Sequence, residues 1–306
     1  SVSYARPHDR RRRAGGTPIM RQVCLVLHGN RDDILPLASA IAERLRAANI
    51  EVAAAGELVD SGEYAVLDPS RNELAIVLGG DGTILRAAEL MRDQRVPILG
   101  INLGKVGFLA ELEPGDIDPM IDVIVQRGWK VEERRALNVR VTEPNGTVWE
   151  SWALNEVAIE KSLRDRMLEV TVSIDERPVM AWGGDGLIVS TPTGSTAYAF
   201  SAGGPIVWPD VDAHLVVPVS AHALFARPIV TAPSARIDIA IIDELAPAIV
   251  VCDGRRNTMA APGSHVAVTE SKDPVLFARL HLSPFADRLV RKFQLPVTGW
   301  RNREQA

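Results

Sequence analysis

The hydrophobic periodicity of the chain changes near Trp129, and this change narrows the choice of folds more than any other feature. Before Trp129, short β-rich runs alternate with amphipathic stretches of helical period, which predicts a parallel sheet covered by helices. After it, apolar and polar residues alternate with a period near two, and turn signals separate the runs. The sequence therefore predicts a Rossmann-like α/β domain followed by a mainly β domain.

The predicted elements follow from these periods. In the first domain the predicted strands are 23–28, 74–80 and 96–102, and the predicted helices are 33–49, 83–92 and 117–126. The second domain has runs typical of strands, namely LEVTVSID, RPVMAW, GLIVSTP, ARIDIAII and HVAVTE. Between two further β-rich runs stands Asn145-Gly146, which predicts a type I′ hairpin because both residues tolerate positive φ.

A chain of 306 residues is long for one core and fits two domains. We predict a disordered tail at 1–20, the α/β domain at 21–130 and the β-rich domain at 131–280. The last part, 281–306, contains a helical pattern, and its return to the first domain is left open by the sequence.

Composition and charge exclude several classes of function. The net charge of -5 gives no general attraction for nucleic acid or anionic lipid, and the basic run Arg10–Arg13 lies in the predicted tail. No apolar stretch approaches the roughly 20 residues that span a bilayer. The two cysteines, Cys24 and Cys252, lie in strand-like runs, which favours reduced thiols in the cytoplasm. Neither HExxH nor Cys-x-x-Cys occurs, so we expect no zinc site built by the protein.

The sharpest local motif is GGDGT at residues 79–83, between a predicted buried strand and a helix. Ligands of α/β sheets bind at the carboxyl ends of strands, and helix N-termini offer free N–H groups to phosphates. Asp81 is the loop's one ionisable side chain, although it could simply cap the following helix. The chain has neither GxxxxGK[ST] nor a GxGxxG that opens a helix after a strand, so a phosphate would be bound in another way.

Two further motifs lie in the second domain. Asn155-Glu156 falls in an alternating stretch, where two neighbours on a strand point to opposite faces, so one of them could be exposed and idle. The segment 190–204 combines hydroxyls and glycines, which suits ribose and phosphate oxygens better than a core. A plain surface loop is the alternative, which Tyr198 and Phe200 make less attractive.

Taken together, these motifs resemble those of the NAD kinase family. The matching segments are, in order, GGDGT at 79–83, LGKVGFLAE at 103–111, LNE at 154–156, GDGLIVSTPTGSTAYAFSAGGP at 184–205 and RPIV at 227–230. The closing FADRLVRKFQLPVTGWR is similar to the actinobacterial branch. The resemblance covers essentially the whole chain after Gln22 and implies the NAD kinase fold, an α/β domain followed by a β-rich domain.

The resemblance also implies roles for individual residues. Asp81 would be the general base, and the expected dinucleotide contacts are Gly82, Asn155, Glu156, Asp185, Thr196, Ala197, Tyr198 and Ser201. Arg86, Phe108 and Arg166 fall where members of the family often have further contacts. One departure is Arg255, since many members have Asp-Gly-Gln where this chain has Asp253-Gly254-Arg255. A contact that a glutamine amide makes in those members would here be made by the Arg255 guanidinium, or not at all.

The implied reaction is phosphoryl transfer from ATP or inorganic polyphosphate to the 2′-hydroxyl of the adenosine ribose of NAD, which gives NADP. Mg²⁺ would arrive on the donor's phosphates, and the enzyme would be a homodimer or homotetramer in the cytoplasm, without nucleic-acid or membrane partners. Two alternatives remain at this stage. A lipid kinase of the diacylglycerol or sphingosine type shares GGDGT, and a non-catalytic NAD(P) sensor could share the fold.

Overall fold

The computed structural model describes residues 20–27, 34–56, 68–103, 107–112, 117–242, 246–280 and 284–297. The predicted tail, apart from Met20, lies outside these residues, as does the His28 end of the first predicted strand. The chain divides into two compact units. One is Arg134–Pro274, here called the β unit, and the other, the α/β unit, combines the residues up to Glu133 with those from Val275 onward.

The α/β unit begins with alternating strands and helices. In chain order they are β1 (Arg21–Leu27), α1 (Leu35–Ala47), β2 (Ile50–Gly56), β3 (Asn72–Leu78), α2 (Asp81–Met91), β4 (Ile98–Ile101), α3 (Ile117–Val125) and β5 (Lys130–Arg134). The predicted elements of this unit are present, with ends that differ by a few residues. β2 was not predicted, because its alanine-rich sequence IEVAAAG has weak strand propensity.

The β unit contains the next strands and one short helix. They are β6 (Leu137–Thr142), β7 (Val148–Ala153), β8 (Glu156–Lys161), β9 (Leu168–Ile174), β10 (Arg177–Gly184), β11 (Gly186–Ser190), α4 (Tyr198–Ser201), β12 (His214–Val219), β13 (Ile229–Thr231), β14 (Ile237–Ile241), β15 (Ala248–Cys252), β16 (Arg256–Ala260) and β17 (His265–Glu270). The chain then returns to the α/β unit with β18 (Val275–Arg279) and α5 (Phe285–Phe293).

The sheet of the α/β unit has the described strand order β2-β1-β3-β4-β18-β5. β1 pairs in parallel with β2 and β3, and β4 pairs in parallel with β3 and β18. Such strands are apolar on both faces, and β1 and β3 are buried along nearly their whole length. Helix α1 buries Ile41 and Leu45 in the same core.

The β unit is a sandwich of two sheets, with described strand orders β10-β9-β14-β17-β6-β7 and β13-β12-β11-β8-β15-β16. Its core takes Val139 and Val170 from the first sheet and Ile159 and Val250 from the second, so the inner faces pack against each other. These two units match the predicted fold class of an α/β domain followed by a mainly β domain.

The unit boundaries differ from the predicted ones. The β unit starts at Arg134 rather than residue 131, and the return to the α/β unit begins with β18 rather than at residue 281. β18 belongs to the first sheet because it extends that sheet beside β4, with Phe277 opposite Ile98. Phe277 is fully buried there.

The hairpin at Asn145-Gly146 is not of type I′, so that prediction was wrong. Of the two residues only Gly146 has positive φ, at 86°. The Gly146 N–H donates to the Glu143 carbonyl at 2.9 Å, and Asn145 Oδ1 accepts from the Thr147 N–H at 2.8 Å. Pro144 explains the difference, because its fixed φ suits the second position of a type I turn, which a left-handed glycine then closes.

Candidate functional site

The GGDGT motif forms the junction between β3 and α2 in the α/β unit. β3 ends at Leu78, Gly80 is the N-cap, and Asp81 is the first helical residue. The sequence predicted a later start, near Thr83. The first turn of a helix presents N–H groups without partners inside the helix, and its positive end stabilises a carboxylate. This junction is therefore suited to anions.

The Asp81 carboxylate is held by a neighbouring segment rather than by its own helix. Oδ2 accepts from the Phe108 N–H at 3.0 Å, and Oδ1 accepts from the Leu109 N–H at 3.1 Å. The N-cap position of α2 is occupied by Gly80, so Asp81 stands one residue inside the helix. The alternative that Asp81 merely caps the helix is therefore not supported, and the side chain is half-buried with a fixed orientation.

Gly107 makes this contact possible, and the sequence reasoning did not single it out. A Cβ at this position would lie 2.2 Å from Asp81 Oδ1, far inside van der Waals contact. Any larger residue would have to displace the carboxylate. The signal available in the sequence was only the glycine in LGKVGFLAE, of which residues 104–106 lie outside the described part of the chain.

The other predicted contacts in the α/β unit differ in exposure. Gly82 is exposed and Arg86 is half-buried, and their spacing of four places both on one face of α2. Phe108 is buried, with its ring centroid 5.8 Å from that of Phe285 and 5.7 Å from that of Phe293. The Phe108 ring thus packs in this unit's interior, while its backbone N–H orients Asp81.

In the β unit, Asn155 and Glu156 lie where the predicted continuous strand breaks. β7 ends at Ala153 and β8 starts at Glu156. Asn155 is 8% exposed and Glu156 is 7% exposed, so the alternative that one of them is exposed and idle does not hold. Simple alternation fails because the chain leaves the extended conformation between the two strands.

Asp253, which the sequence reasoning did not assign to the site, shapes this break. Its carboxylate accepts from the N–H groups of Leu154 at 2.9 Å, Asn155 at 2.7 Å and Glu156 at 3.3 Å. It also accepts from Arg256 Nη2 at 2.8 Å. Burial raises the Asp253 pKa, whereas the N–H groups of Leu154 and Asn155 and the Arg256 guanidinium lower it. Its position in a turn was readable from Asp-Gly, but its partners, about a hundred residues away, were not.

The Glu156 carboxyl has a strongly raised pKa. Burial, followed by the charge of Asp253, raises its pKa from 4.5 to about 8, against a hydrogen bond from the backbone of Tyr198 that lowers it. Among the described residues, no group donates to Glu156 Oε2. Burial therefore favours the neutral form of Glu156 over the ionised form.

Several hydroxyls of the segment 190–204 donate hydrogen bonds to backbone carbonyls of the chain. Ser190 and Thr191 donate to the backbone carbonyls of Asn155 at 3.1 Å and Leu154 at 2.6 Å. Ser195 donates to the Pro192 carbonyl at 2.7 Å. These three side chains are buried, so they are not the ribose and phosphate donors that the sequence suggested.

Gly194 explains how closely this segment approaches Asn155. A Cβ at Gly194 would lie 2.1 Å from the Asn155 carbonyl oxygen. A 3₁₀ turn, Thr193–Thr196, then leads into α4. Thr196 and Ala197 are half-buried, whereas Tyr198 and Ser201 are exposed and accessible to a ligand.

Strand β8 also carries polar partners for two other predicted residues. Tyr198 Oη donates to Glu160 at 2.8 Å, and Lys161 Nζ lies 2.6 Å from Asp185 Oδ1. Partial burial of Tyr198 and then the Glu160 hydrogen bond raise the Tyr198 pKa to about 12, whereas the hydrogen bond from Lys161 lowers the Asp185 pKa.

The two remaining predicted contacts lie in turns and are exposed. Arg166 stands in the turn between β8 and β9, and Arg255 in the turn after Asp253. The structure thus brings Asn155, Glu156 and Tyr198 together around the start of β8. Asp81, Gly82, Arg86 and Phe108 form a second group in the α/β unit.

Within the described ranges, no three His, Cys, Asp or Glu side chains are grouped so that they could hold a metal ion. Over the same residues, no helix has both the length and the apolar character needed to cross a membrane.

Comparisons with known proteins agree on one family. The profile of the ATP-NAD kinase N-terminal domain matches residues 65–129, and that of the ATP-NAD kinase C-terminal domain matches residues 154–280. The chain is 47% identical over 292 residues to NAD kinase 2 of Streptomyces coelicolor, covering 92% of this chain and 97% of that protein. It is 48% identical over 303 residues to the NAD kinase of Mycobacterium tuberculosis, covering 92% and 99%.

Solved structures of similar proteins share the fold. Yeast NADH kinase complexed with NADH superposes with a TM-score of 0.82 at 20% identity, covering 92% of this chain and 89% of that one. An NAD kinase from Archaeoglobus fulgidus in complex with ATP superposes with a TM-score of 0.71 at 26% identity, covering 90% and 100%.

Proposed function

The chain belongs to the NAD kinase family and phosphorylates the adenosine ribose 2′-hydroxyl of NAD to give NADP, and we propose that Asp81 accepts the proton of that hydroxyl. A hydroxyl that attacks a phosphoryl group needs a positioned base. The observation that carries the proposal is the Asp81 carboxylate, half-buried and oriented by two backbone N–H groups. Neither alternative, lipid kinase or sensor, has support from the comparisons.

The hydrogen bonds described for the Asp81 carboxylate leave it able to accept one from a substrate. A carboxylate can accept about four hydrogen bonds, and the N–H groups of Phe108 and Leu109 use one on each oxygen. The remaining capacity suits a substrate hydroxyl. The bonds from the protein also fix the direction of approach, so the carboxylate need not reorganise when the substrate binds.

For the dinucleotide, the proposal keeps the contacts that the resemblance implies. The proposed contacts are Gly82, Arg86, Phe108, Asn155, Glu156, Arg166, Asp185, Thr196, Ala197, Tyr198, Ser201 and Arg255. Glu156 is supported by its buried Oε2, which has no hydrogen-bond partner in the described ranges, and Tyr198 and Ser201 by their exposure. A protonated Glu156 would donate a hydrogen bond to a ligand oxygen, whereas an ionised one would only accept.

ATP is the proposed donor, with inorganic polyphosphate as the alternative, and Mg²⁺ is the proposed cofactor. The NAD kinase of Archaeoglobus fulgidus, which the chain resembles, was solved with ATP. Mg²⁺ usually binds through one or two carboxylates, substrate phosphates and water. We propose that Mg²⁺ arrives on the donor's phosphates and keeps most of its waters, so no residue of the chain is assigned as its ligand. Mg²⁺ bound in this way would neutralise charge on the phosphates.

We also propose that the enzyme is a homodimer or homotetramer and is located in the cytoplasm. Exposed apolar side chains on and beside the loop between β12 and β13, including Leu224, Phe225 and Val230, support self-association because such residues are commonly covered by a partner. Both cysteines are free and buried, which suits a reducing compartment.

To test the proposal, purified protein is incubated with NAD, Mg²⁺ and either ATP or polyphosphate, and the NADP formed is measured. We expect NADP with ATP, and loss of product when EDTA removes the cation. NADP formed at an undiminished rate in EDTA would contradict the Mg²⁺ requirement. Product with polyphosphate but none with ATP would overturn the assignment of the donor.

A further inference from the structure

Arg279, at the end of β18, is a buried cation in the interior of the α/β unit. Its side chain is 4% exposed. Its Nε donates to Glu132, whose side chain is 10% exposed, and its Nη1 lies 3.4 Å from Glu111, whose side chain is 2% exposed. Burying three charges carries a large desolvation cost, which a well-packed apolar cluster of similar volume would avoid.

The guanidinium makes one contact that an apolar side chain could not replace. Arg279 Nη1 donates to the Leu109 carbonyl at 3.2 Å. On its other side, Leu109 donates its N–H to Asp81 Oδ1 at 3.1 Å. Leu109 therefore links the buried guanidinium to the carboxylate at the start of α2.

Glu111, which also contacts Arg279, holds the far end of the segment 107–112. Glu111 Oε1 accepts from the Leu280 N–H at 2.7 Å, beside its contact with Arg279. The Glu111 N–H donates to the Gly100 carbonyl at 3.0 Å. Residues 107–112 are thus fixed to β18 and to β4, and their N–H groups are fixed in turn against Asp81.

We infer that Arg279 is a positioning residue for Asp81, acting through Leu109. The inference rests on the proposed role of Asp81 as the base. Arginine suits this position because its planar fork donates in several directions at once, to Glu132 and to the Leu109 carbonyl. A lysine keeps the charge but has one ammonium group, which cannot reproduce both contacts in the same geometry.

The primary test compares Arg279→Lys with a matched control, Arg21→Lys. Arg21 also joins a glutamate, Glu73, to backbone carbonyls, those of Ile124 and Val125, in the same unit. None of these partners belongs to residues 107–112. We expect Arg279→Lys to lower kcat by about 10- to 100-fold with KM for NAD nearly unchanged, the effect of a misplaced reacting group. Arg21→Lys should leave kcat within about twofold, since it displaces nothing near Asp81.

A double-mutant cycle with Asp81→Asn separates positioning from general damage. If Arg279 acts through Asp81, Arg279→Lys lowers kcat in the wild-type background and has little further effect in the Asp81→Asn background. Equal fold losses in both backgrounds would overturn the inference while leaving the proposed base intact. Near-normal turnover by Asp81→Asn alone would instead overturn the proposed role of Asp81 as the base.

A structural readout complements the kinetics. Amide hydrogen exchange of Phe108 and Leu109 should accelerate in Arg279→Lys, because the segment that carries these N–H groups is no longer fixed. Unchanged exchange together with unchanged kcat would contradict the inference. If Arg279→Lys fails to fold, Glu132→Gln removes the charge that holds Arg279 and decides the question. It should lower kcat by a smaller factor in the wild-type background and not in the Asp81→Asn background, and a loss equal in both would contradict the inference.

Discussion

Asp81 in the α/β unit and Asp253 in the β unit both accept hydrogen bonds from backbone N–H groups of a distant segment, but they differ in what else reaches the carboxylate. Asp253 accepts from three N–H groups and from Arg256, and its side chain is 1% exposed. Asp81 accepts from two N–H groups and is half-buried.

The difference shows that hydrogen bonds from backbone N–H groups to a carboxylate can either shape the backbone or orient the carboxylate for a ligand. Four hydrogen bonds use the whole accepting capacity of the Asp253 carboxylate, which therefore shapes the backbone around Asn155 and has nothing left for a ligand. Asp81 is oriented in the same way, but its two bonds within the described part of the chain leave lone pairs for a substrate. We therefore expect substitution of Asp81 to affect turnover, and substitution of Asp253 to affect stability.

The largest expected effect is on turnover in Asp81→Asn. The amide cannot accept the hydroxyl proton, so kcat should fall by about two to four orders of magnitude, the usual range for a lost general base. NAD affinity, measured by calorimetry, and the melting temperature should change little. Near-normal kcat would make Asp81 a structural residue like Asp253 and remove the contrast between the two.

A smaller loss is expected for Gly107→Ala, which changes no chemical group of the site. The new Cβ would collide with Asp81 Oδ1, as the separation of 2.2 Å shows, so the carboxylate must move. A displacement of about 1 Å can cost roughly 100-fold in rate, so we expect kcat to fall by about 10- to 100-fold with the fold retained. Steady-state kinetics and circular dichroism measure both. Unchanged kcat would show that the position of Asp81 does not matter.

Periodicity and turn signals were enough to predict the two domains and the GGDGT junction, because those signals are local. Long-range contacts were not predictable. Gly107 matters only because Asp81 lies beside it, and Arg279 only because Glu132 and Leu109 surround it. The buried pair Asn155-Glu156 contradicted strand alternation for the same reason, since Asp253 bends the chain there.

For Asp253→Asn we expect the converse of the Asp81 result. The amide keeps one acceptor oxygen but loses the charge that holds Arg256 and three backbone N–H groups, so the free energy of unfolding should fall by about 1–3 kcal/mol. Asp238→Asn, at an ion pair between the half-buried Asp238 and the exposed Arg236 in the same unit, is the matched control and should cost less than about 1 kcal/mol. Denaturant titration distinguishes them, and equal losses would argue against a structural role peculiar to Asp253.

The pH dependence of stability tests the neighbouring Glu156. Its folded pKa, raised from 4.5 to about 8, means that the folded state binds more protons than the unfolded state in that window. Stability should be fully present below the unfolded pKa and decline as pH rises through the folded pKa, by at most about 1.4 kcal/mol per pH unit. Glu156→Gln should flatten this slope in denaturation curves. Parallel curves for the two proteins would contradict the raised pKa.

The most direct measurement of the central claim uses an NAD analogue that lacks only the adenosine 2′-hydroxyl. Incubated with the enzyme, Mg²⁺ and ATP, the analogue should bind as a competitive inhibitor. Its affinity should be about 1–3 kcal/mol weaker than that of NAD, because Asp81 loses a hydrogen-bond partner. Mass spectrometry should detect no phosphorylated analogue. A phosphorylated analogue would show that another hydroxyl is the acceptor and would contradict the role given to Asp81.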